Sequence, residues 1–173
     1  MTPTSKLAAG GPFPDIVVAR VGGGTIAPAA MPGWRLVVVY RGRHCPLCKL
    51  YLGTLDGLME AFEGASVSVV ALSGDPAEKA AADVAEHGWR FPVGYGMSVA
   101  QMRELGLYVS APRGPQETDR PFPEPGLFLL NPGGALQIVD ISNAPFARPD
   151  LGGVLRGAKL IQERGYPVRG MLA

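Results

Sequence analysis

Cysteine and histidine are scarce: two of each occur among 173 residues. A closed structural zinc site takes four such ligands, so it would consume all of them. His44 is adjacent to Cys45, a poor arrangement for closing a tetrahedron together with Cys48. No metal or cofactor is therefore expected. A dominant charge is also lacking, since 16 Lys and Arg face 15 Asp and Glu and leave a net charge of +1. No stretch concentrates Lys and Arg, which argues against nucleic-acid and anionic-membrane partners. Long hydrophobic runs are missing too. The longest, Leu36 to Tyr40, falls far short of the roughly 20 residues that span a bilayer. The opening MTPTSKLAAGGPFPD carries one Lys and no apolar segment suited to a signal peptide. The expected setting is cytoplasmic, where structural disulfides are disfavoured. Two cysteines there need a reason other than stapling.

What is present suits one packed domain. Apolar residues make up 47% and charged residues 18%, enough for a single core. The 24 glycines and 17 prolines are scattered, so many short connections are expected. Residues 1–14 read as a loose N-terminal extension and residues 15–173 as one domain. Asp15–Ala19 reads as a first strand. Trp34–Tyr40 (WRLVVVY) is a continuous β-branched run, as in a strand buried on both faces. Leu47, Tyr51, Leu55, Leu58 and Phe62 follow at helical spacing, with Gly64 as a stop. Val67–Leu72 reads as a second buried strand. Asp75-Pro76-Ala77-Glu78 predicts a helix start with Asp75 as cap, and Gly88 closes that helix.

Ser98 and Gln101 mark a short helix to about Leu105. Ser110–Gly126, rich in Pro and charge, reads as a long loop of the kind that often carries function. Leu127–Leu130 and Ala135–Ile141 flank the turn Asn131-Pro132-Gly133-Gly134 and read as a hairpin. A last helix runs from Leu151 to near Gly165. Alternating strands and helices followed by a hairpin and a helix predict an α/β fold, a central mixed sheet with helices on both faces.

The chemistry is expected between the first long strand and the first helix, in Arg41-Gly42-Arg43-His44-Cys45-Pro46-Leu47-Cys48-Lys49. Cysteines three apart at a helix start share one face and can close a small disulfide ring. The helix N-terminus offers unpaired N–H groups and partial positive charge, which favour thiolate over thiol. Arg41, Arg43, His44 and Lys49 add positive charge nearby. Thiolate character governs nucleophilicity and oxidation. Pro46 suits the first helical turn, where its missing N–H costs nothing. His44 reads either as a general base or as an exposed turn residue. His87 reads as a partner for a helix C-terminus, and Trp34 and Trp89 as core or rim aromatics.

The run VVYRGRHCPLCKLYLGTL resembles the F-Y-R-G-x-W-C-P-x-C segment of peroxiredoxin-like proteins, in the alkyl hydroperoxide reductase / thiol-specific antioxidant group of the thioredoxin superfamily. The resemblance continues in Pro125-Gly126-Leu127-Phe128, in NAPFARPD (143–150) and in Tyr166–Gly170. It implies a thioredoxin-like fold and thiol-based reduction of peroxides or disulfides. It also implies an external thioredoxin- or glutaredoxin-like reductant, and homodimers occur in the group. A cis-proline usually precedes the strand facing the cysteines in that fold, which predicts a cis Glu124–Pro125 bond near Cys45.

Two departures are visible. Peroxiredoxins carry P-x-x-x-T-x-x-C around the peroxidatic cysteine. With Cys48 in that place, Arg41 replaces the Pro and Cys45 the Thr. With Cys45 there, Val38 and Gly42 replace them. His44 also stands where the group usually has Trp.

Three functions fit these residues. In the first, one thiolate reduces a peroxide, becomes a sulfenic acid and condenses with its neighbour to a Cys45–Cys48 disulfide. Arg41 and Arg148 are candidates to stabilise the charges, Arg148 by resemblance only. In the second, Cys45 attacks a protein disulfide and Cys48 resolves the mixed disulfide. The third is a non-catalytic binding module on the same fold.

Overall fold

A computed structural model describes residues 5–173. Its sheet has seven strands in the order β2-β1-β5-β4-β3-β8-β9. These are β1 (Val18–Arg20), β2 (Thr25–Ile26), β3 (Trp34–Val39), β4 (Val67–Leu72), β5 (Val93–Tyr95), β8 (Gly126–Leu130) and β9 (Leu136–Ile141). A separate two-stranded ribbon pairs β6 (Val109–Ser110) with β7 (Phe122–Pro123). The helices are α1 (Pro46–Gly57), α2 (Met59–Gly64), α3 (Ala77–His87), α4 (Val99–Glu104) and α5 (Leu151–Arg164).

Strands β3, β4 and β5 run parallel, while β1, β8 and β9 are antiparallel to their neighbours. Side chains of a strand alternate between faces, and the apolar runs fill both. Leu36, Val38, Tyr40, Val67, Val69, Leu127 and Leu129 join one core with Leu52, Leu55, Phe62, Leu155 and Ala158 of α1, α2 and α5. Val37, Val39, Val70, Leu72, Phe128 and Leu130 join the other with Phe13, Ile16, Met102 and Leu105. The mixed sheet with helices on both faces is thus the observed architecture.

Several expected boundaries differ. The helix expected from Leu47 to Gly64 breaks at Leu58, whose φ of −101° and ψ of 2° leave the helical range. The first strand begins at Val18 rather than Asp15, although Ile16 is still buried. β5 carries no long apolar run and was not legible. Of the expected N-terminal extension, residues 1–4 lie outside the described residues. Further along, the Gly10 N–H donates to Leu136 O at 2.8 Å, and the Leu136 N–H donates to Gly11 O at 2.9 Å. Phe13 then meets Phe128 edge-on at 5.4 Å. No described helix is long and apolar enough to cross a membrane.

Candidate active site

Strand β3 ends at Val39 beside Gly126 of β8, and the link Tyr40–His44 turns into α1. Gly42 makes that turn with a φ of +131°, and an added Cβ would lie 2.6 Å from Asp75 Oδ1. Asp75 accepts the Arg43 N–H at 2.7 Å. This corrects the expectation that Asp75 caps α3: that helix starts after Pro76 with no side-chain cap. The D-P-A-E pattern is right in kind, but the carboxylate is drawn to the Gly42–Arg43 backbone. Burial raises the Asp75 pKa.

Cys45 itself is the N-cap of α1, and its Sγ accepts the Cys48 N–H at 3.2 Å. Sulfur thus takes the place usually filled by a Ser, Thr, Asp or Asn oxygen. The two cysteines are unbridged, with exposures of 1% and 0%. The neighbouring Cys48 thiol, with the Cys48 N–H and Arg41, lowers the Cys45 pKa to about 6 against the effect of burial. Cys48 shifts the other way: it donates to the Cys45 sulfur and is buried. The two shifts run in opposite directions, favouring the thiolate at Cys45 and the thiol at Cys48.

Arg41, by its charge, favours a Cys45 thiolate. Its Nε lies 3.0 Å from Glu124 Oε2 and its NH2 group 3.6 Å from Glu117 Oε1. The guanidinium lies 4.7 Å from the Phe122 ring centroid. Burial opposes the Arg41 charge, but Cys45 and Glu124 outweigh it and raise the pKa. His44 packs edge-on against Phe122 at 4.5 Å. Burial, followed by the Arg41 charge, pushes the His44 pKa down to about 4, so the ring is neutral at pH 7. Neither ring nitrogen meets a hydrogen-bond partner among the described residues.

Arg148 stands on the other side of α1, its guanidinium 4.7 Å from the Tyr51 ring centroid. Two of its nitrogens donate to Pro145 O at 2.8 and 2.6 Å. Its charge favours a Cys48 thiolate. Tyr51 Oη donates to Pro149 O at 2.7 Å and ties α1 to this segment. A surface cavity of about 480 Å³ opens here, lined by Leu47, Leu50, Tyr51, Phe146 and Arg148.

Pro125 is buried at the head of β8, one residue beyond the Gly126–Val39 pair. No cis peptide bond occurs among the described residues, so the expected cis Glu124–Pro125 bond is corrected to trans. Ser142 N–H donates to Pro125 O at 3.0 Å, which ties the head of β8 to the residue after β9.

Sequence reasoning missed Asp75, Glu117, Phe122, Glu124 and Ser110. All but Asp75 lie in the stretch expected as a functional loop, which holds the β6–β7 ribbon, and a buried charge in a proline-rich loop was the available signal. Arg43 turns away from the sulfurs to pair with Asp83 and with Glu86, the latter at 2.8 Å. Lys49 Nζ also approaches Asp83, at 4.0 Å. Asp83, Glu86 and His87 have ligand-type atoms within 4.8 Å of one another, but the Arg43 cation already occupies both carboxylates. His87 lies in the last turn of α3 and stacks on Trp89 at 5.2 Å.

The profile described as "AhpC/TSA family" matches residues 9–139, well over half of the chain. No curated protein sequence matches. Among solved structures, a peroxiredoxin-like protein from Aquifex aeolicus aligns with a TM-score of 0.76 at 16% identity, covering 92% of this chain and 90% of its own. Mycobacterium tuberculosis AhpC gives 0.75 at 16%, covering 93% and 96%. Peroxidoxin BcpB from the same organism gives 0.71 at 14%, covering 91% and 97%. At such identities these structures bear on the fold, which is thioredoxin-like.

Proposed function

We propose, from the premise that this chain belongs to the AhpC/TSA family, that it is an oxidoreductase reducing peroxides with the Cys45 thiolate. Cys48 serves as the resolving thiol. The observation that carries the assignment is the placement of the pair: Cys45 Sγ caps α1 and accepts the Cys48 N–H at 3.2 Å, while Cys48 lies fully buried in the first turn. The pKa directions agree, favouring the thiolate at Cys45 and the thiol at Cys48.

The Cys45 sulfur attacks the distal peroxide oxygen, the O–O bond breaks, and the departing alkoxide takes up a proton. Arg41 stands where negative charge moves from sulfur to the departing oxygen, and such preorganised charge lowers the barrier. Cys48 then attacks the Cys45 sulfenic acid; its proton leaves with the hydroxide as water and a disulfide forms. Arg148 favours the ionisation of Cys48 that this step needs. Neutral His44 can donate to or accept from a bound peroxide, and Pro125 closes the head of β8 beside the site.

An external dithiol, thioredoxin- or glutaredoxin-like, returns two electrons and reopens the disulfide. The same reading sets the chain in the cytoplasm and in the F-Y-R-G-x-W-C-P-x-C subgroup, within a family in which homodimers occur.

A second reading has one observation in its favour. A low-pKa first cysteine followed by a protonated, buried second one is also what a dithiol–disulfide oxidoreductase requires. Second-order rates of thiol loss with hydrogen peroxide, an organic hydroperoxide and a protein disulfide separate the two. Peroxide rates far above that of free cysteine support the peroxidase. A fast rate with the protein disulfide alone favours the second reading, and no fast rate with any acceptor overturns both in favour of a binding module.

A further inference from the structure

We propose that Glu124 is a positioning residue that holds the Arg41 guanidinium against Cys45, with Ser110 holding Glu124 in turn. The inference rests on the reading of Cys45 as the reactive thiolate.

Glu124 is 4% exposed. A buried carboxylate is costly unless it is paired. Oε1 accepts from Ser110 Oγ at 2.6 Å, while Oε2 faces Arg41 Nε at an ion-pair distance of 3.0 Å without the geometry of a hydrogen bond. The backbone around the pair is fixed as well. Ser110 pairs with Phe122 across the β6–β7 ribbon, and the Glu124 N–H donates to Tyr108 O at 2.8 Å. Phe122, from the same ribbon, supports the guanidinium 4.7 Å from its ring centroid. An arginine side chain has many rotamers to lose. The ribbon removes that freedom before any substrate arrives and leaves the cation on the sulfur.

Glu124 must act through Arg41, because a carboxylate near a thiolate disfavours it by like charge. The titratable and charged groups around Cys45 and Arg41 come from three elements. Cys48 of α1 and Arg41 of the β3–α1 link act on Cys45, while His44 of that link and Glu117 and Glu124 of the ribbon and its loop surround Arg41. Arg148 acts from the segment before α5 on Cys48, and Lys79 acts from α3 on His44. Arg41 is the cation that lowers the Cys45 pKa.

The test is the pH titration of thiolate absorbance near 240 nm in the reduced full chain, for wild type, Glu124→Ala, Glu124→Gln, Ser110→Ala, Arg41→Ala and the Arg41/Glu124 double alanine variant. Glu124→Ala frees Arg41 and should raise the Cys45 titration by about one pH unit, the low end of the effect of a nearby opposite charge. Glu124→Gln keeps an acceptor and removes a negative charge, so its titration should stay at or below that of wild type. Glu124→Ala should add nothing in the Arg41→Ala background. Ser110→Ala, which removes only a hydroxyl, should raise the titration by a smaller amount and serves if Glu124→Ala does not fold.

A wild-type titration in both Glu124→Ala and Ser110→Ala would overturn the proposal. So would an equal rise in Glu124→Gln, or a further rise in the double variant. Peroxide rates on the same samples keep the two claims apart. Slow peroxide reaction with the titration pattern intact counts against the peroxidase alone.

Discussion

Cys45 Sγ accepts the Cys48 N–H at 3.2 Å and so caps the helix that carries Cys48. On the reading of Cys45 as the nucleophile, Cys48 also favours its thiolate, through this N–H and through its own thiol.

Removing that thiol should therefore weaken the thiolate. Cys48→Ala is expected to raise the Cys45 pKa by about one unit or more, while Cys48→Ser, which keeps an O–H donor, should raise it less. Thiolate absorbance against pH measures both. Identical titrations in the two variants would assign the shift to Arg41 and the helix terminus instead.

The rate of peroxide-dependent thiol loss should rise through about pH 6 and level off below the ordinary thiol value of about 8.5. The stability of the reduced protein follows the same sign. Between those values the unfolded chain binds more protons at Cys45 than the folded one, so stability grows with pH. It is lost as pH falls through the folded pKa. Denaturant midpoints of wild type and Cys45→Ser between about pH 5 and 8 should converge at the acid end.

Gly42→Ala should destabilise the fold by about 1–3 kcal/mol, the usual cost of a side chain in a sparsely allowed conformation. The backbone φ is +131° and the new Cβ would meet Asp75 Oδ1 at 2.6 Å. Combining it with Asp75→Ala should recover the part due to the clash and none of the part due to φ. Urea unfolding of the two single variants and the double variant gives both parts.

His44 predicts an acid sensitivity of its own. Its folded pKa of about 4 lies below the unfolded value of about 6.5, so the unfolded chain takes up the proton first. Stability should decline as pH falls across that window, and His44→Asn should flatten the decline. Denaturant midpoints at about pH 7 and 5 check this, and unchanged pH dependence in the variant would contradict it.

Much of this was readable before the structure. The β-branched runs at Trp34–Val39 and Val67–Leu72 have a single physical use, a two-sided buried strand, and both lie where expected. Ser98 and Gln101 form the capping box that their spacing announces. The placement of Cys45 and Cys48 at the mouth of a helix was legible because a buried run precedes them and helical spacing follows.

The misses share a cause. Asp75 satisfies every local rule for a helix cap, yet the left-over N–H of Arg43, 32 residues earlier, competes for it and wins. Glu124 sits in a proline-rich loop, and nothing local announces that Arg41 will arrive beside it. Long-range pairing of charges is invisible to patterns of three and four residues.

The central claim is that Cys45, not Cys48, meets the peroxide. Stopped-flow oxidation of Cys45→Ser and Cys48→Ser with hydrogen peroxide, followed by dimedone trapping and mass spectrometry, tests it directly. Cys48→Ser should react far faster than free cysteine and carry a sulfenic acid adduct on Cys45, while Cys45→Ser should react no faster than free cysteine. Fast oxidation of Cys45→Ser with the adduct on Cys48 would contradict the account.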